Sequence, residues 1–147
     1  MAILNYTTSI SYEKTIGEIQ QCLVKHGAMK FVTDYASKNG VMIPSSVTFA
    51  IFIQERMIFF SLPAKYDGVL KAMKSDKKVP KKLLTEEQAL RVSWRIIKDW
   101  VVAQMAIVQA GCAEMSEVFL PYAVTKTGRT VYQDMMEGKS AQLAIGN

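Results

Sequence analysis

The stretch that decides the fold is residues 28–63, AMKFVTDYASKNGVMIPSSVTFAIFIQERMIFFSLP. It holds three runs rich in β-branched and aromatic residues, with alternating side chains typical of strands. The dipeptide Asn39-Gly40 separates the first two runs, and both of its residues tolerate the positive φ of a two-residue hairpin turn. Residues 54–56 separate the second and third runs, and Pro63 ends the third. The stretch therefore predicts a three-stranded antiparallel meander.

Two further features concern the edges of this sheet. Pro44 has no N–H to donate to a ladder, so we expect it at a sheet edge or at a bulge. Residues 3–10 alternate loosely between apolar and polar side chains. That alternation predicts a short N-terminal strand that adds to the meander.

Helical periodicity appears on both sides of the meander. Residues 11–27 place their apolar side chains on one helical stripe, and either Ser11 or Thr15 is a suitable N-terminal cap. After the meander, residues 66–73 have the spacing of a short amphipathic helix. A cluster of lysines with a proline then separates this helix from the rest of the chain.

The second half of the chain is predicted to be helical. Thr85 and Gln88 have the spacing of a capping box, and they open the longest predicted helix, residues 86–112. Shorter helices are predicted at residues 115–122 and 130–138. Each of these shorter segments is ended by a proline or a glycine.

The order of the elements is β-α-β-β-β-α-α, which predicts a two-layer α+β fold. In this fold a small antiparallel sheet of three to four strands packs on helices, and one long helix lies in the C-terminal half. A chain of 147 residues fits one domain. We predict a single domain with a strand–helix–meander part at residues 1–63 and a helical part at residues 64–138. Residues 139–147 are predicted to be a mobile tail.

The composition restricts the class of protein and its location. Half of the residues are hydrophobic, which favours a folded core over global disorder. Two cysteines are too few for a disulfide framework, so a reducing cytoplasm is predicted. The longest uncharged apolar stretch, residues 100–113, is shorter than the ~20 residues that cross a bilayer. The N-terminus lacks the basic and apolar regions of a signal peptide, and no membrane partner is expected.

One group of residues raises the question of catalysis. Glu18, Cys22 and His26 recur at every fourth position, so they can share one stripe of the first helix. A thiol beside an imidazole can act as a nucleophile. The ordinary interpretation is that Cys22 packs as a small apolar residue and His26 interacts with the helix dipole. Neither an oxyanion loop, a phosphate-binding loop nor a zinc-ligand spacing is recognisable, so we predict no catalytic residues, no metal site, no cofactor and no enzymatic activity.

The charge of the protein is concentrated in one segment. Residues 65–82 contain seven lysines against two aspartates, and the resulting +5 equals the formal net charge of the whole chain. A flexible lysine-rich arm of this kind would neutralise phosphates and release their counterions. The alternative is a loop that only increases solubility.

A second basic feature follows in the long helix. Arg91, Arg95 and Lys98 have the spacing of one helical stripe, which either extends the basic surface or is a solvated face with Arg95 and Asp99 loosely paired. Tyr66 and Trp94 are candidates for stacking on bases. The predicted contacts to nucleic acid or to another anionic partner are Lys71, Lys74, Lys77, Lys78, Lys81, Lys82, Arg91, Arg95 and Lys98.

The uncharged half of the long helix suggests self-association. Between residues 100 and 113 the apolar side chains face more directions than one small sheet covers. This pattern predicts a homo-oligomer with Val101, Met105 and Val108 in or near the contact. The alternative is that residues 118–136 fold back over the same face within one chain.

Two sequence patterns carry a resemblance to a known group of proteins. They are WRIIKDW at residues 94–100 and EVFLPY at residues 117–122, supported by SLPA at residues 61–64 and GRTVYQ at residues 128–133. Over most of its length the chain resembles small uncharacterised proteins of bacteriophages, prophages and other mobile elements. The resemblance implies expression in the cytoplasm of a bacterial host, beside DNA-replication or anti-defence genes. It implies no activity and no site residues.

These observations favour a non-catalytic basic protein that engages nucleic acid or a host nucleoprotein complex. One alternative is an anti-defence inhibitor of the anti-CRISPR type, which acts by protein–protein contact. Another is a sponge for a nucleotide signal, with Arg91 and Arg95 clamping its phosphate at a subunit interface.

Overall fold

A computed structural model of the chain describes residues 3–138 and 142–146. The elements in chain order are α1 (Tyr12–Lys25), β1 (Met29–Lys38), β2 (Val41–Ile53), β3 (Arg56–Pro63), α2 (Tyr66–Ser75), α3 (Glu86–Gln109), α4 (Met115–Phe119), α5 (Val131–Met136) and β4 (Ile145–Gly146). One-turn 3₁₀ helices lie at Lys81–Leu83 and Leu120–Tyr122. The α+β class and the long helix in the C-terminal half are as the sequence predicts.

The sheet is antiparallel, with the strand order β1-β2-β3-β4. Its first three strands form the predicted meander. Both connecting turns have two residues with positive φ, which are Asn39 (54°) with Gly40 (79°) and Gln54 (48°) with Glu55 (66°). This geometry matches the right-handed twist of the flanking strands and fixes their register. The hairpin prediction at Asn39-Gly40 is confirmed.

Pro44 lies at a bulge, as predicted. The register of β1 and β2 shifts between Asp34, which faces Ser46, and Tyr35, which faces Pro44. The pairing of β2 with β3 begins only at Ser46, opposite Pro63. Pro44 has no partner in β3, so its missing N–H does not remove a hydrogen bond between β2 and β3.

The predicted N-terminal strand is wrong. Residues 3–10 contain a turn and no strand; Asn5 has a φ of 65°, and the Thr8 N–H donates to its carbonyl oxygen at 3.0 Å. The physical reason is a tertiary hydrogen bond that propensity does not reveal. The side-chain amide of Gln88 donates to the carbonyl oxygens of Tyr6 and Thr8 at 2.9 Å each.

The fourth strand comes instead from the other end of the chain. Residues 139–141 and 147 of the predicted tail lie outside the described residues. Over residues 142–146 the structure differs from that prediction, because Ile145 and Gly146 pair with β3. The Ala144 N–H also donates to the Val124 carbonyl oxygen at 2.8 Å. These backbone bonds place the segment at the edge of the sheet.

The helix starts follow their capping residues. The Ser11 hydroxyl accepts the Lys14 N–H at 3.2 Å, so Ser11 rather than Thr15 caps α1. The Thr85 hydroxyl accepts the Gln88 N–H at 3.1 Å, which is the first half of the capping box predicted for α3; the Thr85 N–H donates to the Leu83 carbonyl oxygen at 2.9 Å rather than to the Gln88 side chain. Both side chains satisfy a backbone donor that has no partner inside the helix.

The described contacts group the chain into two compact units, each built from two separate stretches of sequence. Unit 1 consists of Met1–Cys22 and Ala64–Ala103, and unit 2 consists of Leu23–Pro63 and Gln104–Asn147. The units do not coincide with the sequence-based division at residue 63, because each takes residues from both sides of it.

The core of unit 2 is centred on three aromatic rings. Phe49 stacks on Phe60 with ring centroids 5.5 Å apart, and it meets the edge of Phe119 at 5.2 Å. All three side chains are buried. Pairs in these geometries contribute about 0.5–1.5 kcal/mol beyond the area that they bury. The alternation of β2 and β3 places Phe49 and Phe60 directly opposite each other.

The core of unit 1 is aliphatic. It contains a cluster of buried side chains from α2, α3 and the segment between them: Met73, Val79, Ala89 and Val92. Partly buried apolar residues pack against this cluster, namely Ile3, Tyr6, Val69, Leu70, Leu83, Leu84 and Ile96. This core therefore anchors the lysine-rich segment at both Met73 and Val79.

Two of the three residues predicted in or near an oligomer contact are buried within a single chain. Val101 and Met105 are 0% and 1% exposed within a single chain, so a second copy cannot reach them. Val108 is half-buried. The apolar run of α3 is thus covered at Val101 and Met105 by intrachain packing, whereas most of its other apolar side chains are half-buried or exposed. Val102 and Ile107 remain exposed on the same helix.

Candidate anion-binding surface

The excess charge of the protein lies on one ordered segment, which we call the lysine face. It consists of the exposed lysines of residues 65–82: Lys65, Lys71, Lys74, Lys77, Lys78, Lys81 and Lys82. The segment contains α2, a turn and a 3₁₀ helix. The predicted flexible arm is therefore replaced by a folded element.

Buried anchors explain why this highly charged segment is ordered. Met73 is 0% exposed and Val79 is 6% exposed, and both belong to the core of unit 1. Between them, the Asp76 N–H donates to the Met73 carbonyl oxygen at 3.2 Å, and the Val79 N–H donates to the Asp76 carbonyl oxygen at 3.1 Å. The apolar side chains point inward at intervals, which leaves the lysines between them in solvent.

The carboxylate of Asp76 stabilises the turn after α2. Its two oxygens accept the N–H of Lys78 at 2.9 Å and the N–H of Ile3 at 3.1 Å. The Lys78 N–H is the main cause that lowers the pKa of Asp76 below its ordinary value, and the Ile3 N–H and the Lys78 charge add to it against an opposing desolvation. Asp76 is therefore engaged with the backbone that carries the lysines.

This geometry predicts an acid-sensitive contribution to stability. A carboxylate whose pKa is lower in the folded state stabilises the protein above the unfolded-state pKa, and this contribution is lost as the pH falls through the folded-state pKa. We expect Asp76→Asn to melt below the wild type at pH 7 and the two melting temperatures to converge as the pH falls below about 4. Thermal unfolding between pH 7 and pH 2.5 measures this difference. A gap that stays constant over the whole range would contradict this role of Asp76.

The lysine face is not neutralised within the described part of the chain. The ion pairs within 4.0 Å in residues 3–138 are Arg91–Glu87, Arg95–Glu18, Lys98–Asp99 and Arg129–Glu137, and none of them includes a lysine of the face. The segment keeps a net charge of +5 after its two aspartates are counted, and an anionic partner relieves the repulsion among its lysines.

The predicted basic stripe of α3 has a different environment. The Arg95 guanidinium donates to the Glu18 carboxylate at 2.7 Å and to the Thr15 hydroxyl at 3.2 Å. Its side chain is only 13% exposed. Arg95 therefore connects α1 to α3 inside unit 1, and its ion-pair partner is Glu18 rather than Asp99.

The other two members of the stripe are also engaged. Arg91 pairs with Glu87 at 2.6 Å and donates to the side-chain oxygen of Gln88 at 3.0 Å. The ammonium of Lys98 lies 4.0 Å from the Asp99 carboxylate. The stripe is thus balanced by neighbouring carboxylates, whereas no lysine of the lysine face has an ion pair within the described residues.

Base stacking by Trp94 is not possible in this structure. Trp94 is 0% exposed, so a nucleobase cannot reach its ring. Tyr66, the other predicted stacking residue, is half-buried and makes further contacts within the chain. Both rings contribute to packing, which is the commoner role of large aromatic residues.

A buried acidic group in unit 2 was missed by the sequence analysis. Asp134 is 0% exposed, and it accepts hydrogen bonds from the hydroxyls of Thr125 at 2.6 Å and Thr127 at 3.1 Å. Thr130 caps α5, on which Asp134 lies. The signal in the sequence is the Thr-x-Thr spacing before the cap. These bonds hold the loop of residues 125–130 and indicate a structural role.

Unit 2 also contains a small apolar cleft of about 190 Å³. It is lined by Ile53, Gln54, Arg56, Ile58, Phe60, Ser116, Leu120, Ala123 and Leu143. Its volume is below the ~300–1,000 Å³ of typical ligand pockets. The cleft is therefore a weaker candidate for a functional site than the lysine face.

Comparison of the chain with protein-family models, with curated protein sequences and with solved structures gives no match. The resemblance to phage and mobile-element proteins stays a prediction. Within residues 3–138 and 142–146, no group of three or more histidine, cysteine, aspartate or glutamate side chains could hold a metal ion. None of the helices in that part of the chain has the length and apolar character that crossing a membrane requires.

Proposed function

We propose that the protein is a non-catalytic binding protein whose lysine face engages nucleic acid, either alone or within a host nucleoprotein complex. The observation that carries the proposal is the ordered presentation of seven exposed lysines that have no ion pair within the described residues. Lysine acts as a compact point charge, and phosphate groups are its usual anionic partners in nucleic acids.

The alternative of a solubilising loop fits these features less well. Surfaces that serve solubility usually mix charges of both signs. Here the positive charges lie together, and buried anchors at Met73 and Val79 hold their backbone in place. An ordered segment loses less conformational entropy when it binds than a flexible loop does. Order and charge concentration together support a binding surface.

The two other functions proposed from the sequence differ in their support. A nucleotide sponge needs free guanidinium groups, but Arg91 and Arg95 are occupied by Glu87 and Glu18. An anti-defence inhibitor would use the same lysine face against an acidic protein surface. A phage or mobile-element origin is compatible with both the inhibitor and the nucleic-acid binder.

A charge-removal experiment tests the proposed function. The binding variant is Lys71→Gln/Lys74→Gln/Lys77→Gln/Lys78→Gln, and its matched control removes four exposed lysines elsewhere: Lys14→Gln/Lys25→Gln/Lys30→Gln/Lys126→Gln. We expect the binding variant to lose at least about tenfold in affinity for labelled nucleic acid and its salt slope to fall by roughly 3 to 4, since each phosphate contact contributes about 0.9. The control variant should stay within about threefold of the wild type.

Fluorescence anisotropy titrations between 50 and 200 mM salt provide the measurement. Equal losses of affinity in the two variants would indicate that nucleic acid is attracted by the overall charge of the protein and not by the lysine face. No binding by the wild type at the lowest salt would exclude direct nucleic-acid binding. In that case a plaque assay on defended bacterial hosts, with and without the protein, would test the inhibitor.

A further inference from the structure

We infer that the lysine face binds the sugar–phosphate backbone of double-stranded nucleic acid and does not read its bases. This inference rests on the proposed function and specifies its ligand. It follows from the side chains that unit 1 exposes, from those that it buries, and from the helical order of α2.

Unit 1 lacks a stacking surface for unpaired bases. In its described residues no aromatic side chain is exposed: Trp94 is buried, and Tyr6, Tyr12, Tyr66 and Trp100 are half-buried. Proteins that bind single strands without sequence preference rely on such rings, and each base stacked contributes about 1–3 kcal/mol. A single strand would therefore gain only the charge interaction from this face.

The face also lacks three of the side-chain types that distinguish base pairs, and its lysines have no fixed fork with which to do so. Residues 65–82 contain no arginine, asparagine or glutamine. Those side chains make the paired hydrogen bonds that recognise guanine or adenine in the major groove. Lysine contacts to phosphate set position and affinity but carry no direct sequence information. Binding through this face is therefore insensitive to sequence.

The charge density of a duplex suits the two lysines that α2 carries, Lys71 and Lys74. The 10 residues of α2 span about 15 Å, at 1.5 Å per residue. Duplex DNA carries one negative charge per ~1.7 Å of its axis, so about nine phosphates lie within that length. Each strand alone has half this density along the axis. Met73 and Val79 fix the backbone that carries the lysines. Lysines at fixed positions match the regularly spaced phosphates of a duplex better than the irregularly spaced phosphates of a single strand.

The test compares probes of equal length on the full-length wild type. The probes are two labelled 20-base-pair DNA duplexes of unrelated sequence and the corresponding single strands, titrated at 50, 100 and 200 mM salt. We expect the two duplexes to bind within about twofold of each other. We expect each duplex to bind at least about fivefold tighter than its single strands at the same salt concentration.

The possible results separate this inference from the proposed function. Single strands that bind as tightly as duplexes would overturn the duplex inference and leave nucleic-acid binding intact. A preference above about tenfold between the two duplexes would overturn sequence-independent binding. The absence of binding to every probe at 50 mM salt would overturn the proposed function as well.

A charge-conserving variant tests the role of phosphate contacts directly. We expect Lys71→Arg/Lys74→Arg to bind both duplexes within about threefold of the wild type, because the positive charge is kept. Lys71→Gln/Lys74→Gln should lower the affinity for both duplexes by the same factor, since the lost contacts do not depend on sequence. Unequal weakening of the two duplexes by this glutamine variant would contradict the inference.

Discussion

Replacing Phe49 with alanine should destabilise the protein by about 3–5 kcal/mol, the largest effect that we expect from a single substitution. Phe49 is 0% exposed and contacts both Phe60 and Phe119 in the core of unit 2. The substitution removes buried apolar area, leaves a cavity and breaks two aromatic contacts at once. Urea or thermal unfolding followed by circular dichroism measures the loss.

Phe52 provides a matched control on the same strand. It lies three residues from Phe49 in β2 but is 54% exposed. We expect Phe52→Ala to change the free energy of unfolding by less than about 1 kcal/mol, because a large part of its ring is already in water. Comparable losses for the two alanine variants would mean that the three-ring cluster is not the core of unit 2.

Replacing Arg95 with methionine should cost about 2–4 kcal/mol of stability. Methionine keeps much of the apolar volume but leaves the Glu18 carboxylate without its cation and the Thr15 hydroxyl without a hydrogen-bond donor. Removing one partner of a largely buried ion pair leaves the other charge buried without a partner. The free-energy cost of that unpaired charge exceeds the net stabilisation that the intact pair provides. Chemical denaturation of Arg95→Met, Glu18→Gln and the double variant forms a cycle that measures the coupling.

Arg91→Met is the control for this effect. Arg91 lies one helical turn earlier, its side chain is 28% exposed, and its partner Glu87 is 71% exposed. Exposed pairs contribute about 0–1 kcal/mol, so its loss should be small. We also expect Arg95→Met to bind duplex DNA as the wild type does at temperatures where it is folded. If the Arg95→Met variant is folded but does not bind duplex DNA, Arg95 belongs to the binding surface.

The comparison of these two arginines shows a limit of sequence analysis. Arg91, Arg95 and Lys98 share one helical spacing, and that spacing alone predicts equivalent positions. Only the arrangement of α1 against α3 in unit 1 gives Arg95 a carboxylate partner 77 residues away. The distinction between a binding arginine and a structural arginine is thus a tertiary property.

The lysine-rich segment is identifiable from the sequence, whereas its folded state is not. Charge counting needs no coordinates, so residues 65–82 were identifiable at once. Whether such a segment is an arm or a folded surface depends on the burial of Met73 and Val79 and on the bonds of Asp76 to the backbone of Ile3 and Lys78. Those contacts join distant parts of the chain, and no local pattern encodes them.

What the sequence by itself determined was mostly local in origin. The turns at Asn39-Gly40 and residues 54–56, the caps of the helices and the alternation of the strands depend on side chains within a few positions of one another. The source of the fourth strand was decided only by tertiary structure. Residues 3–10 have an alternating pattern, yet Gln88 binds their backbone, and Ile145–Gly146 takes the sheet edge instead. Propensity describes what a segment tolerates, whereas the hydrogen-bond partners available in the folded chain decide which segment joins the sheet.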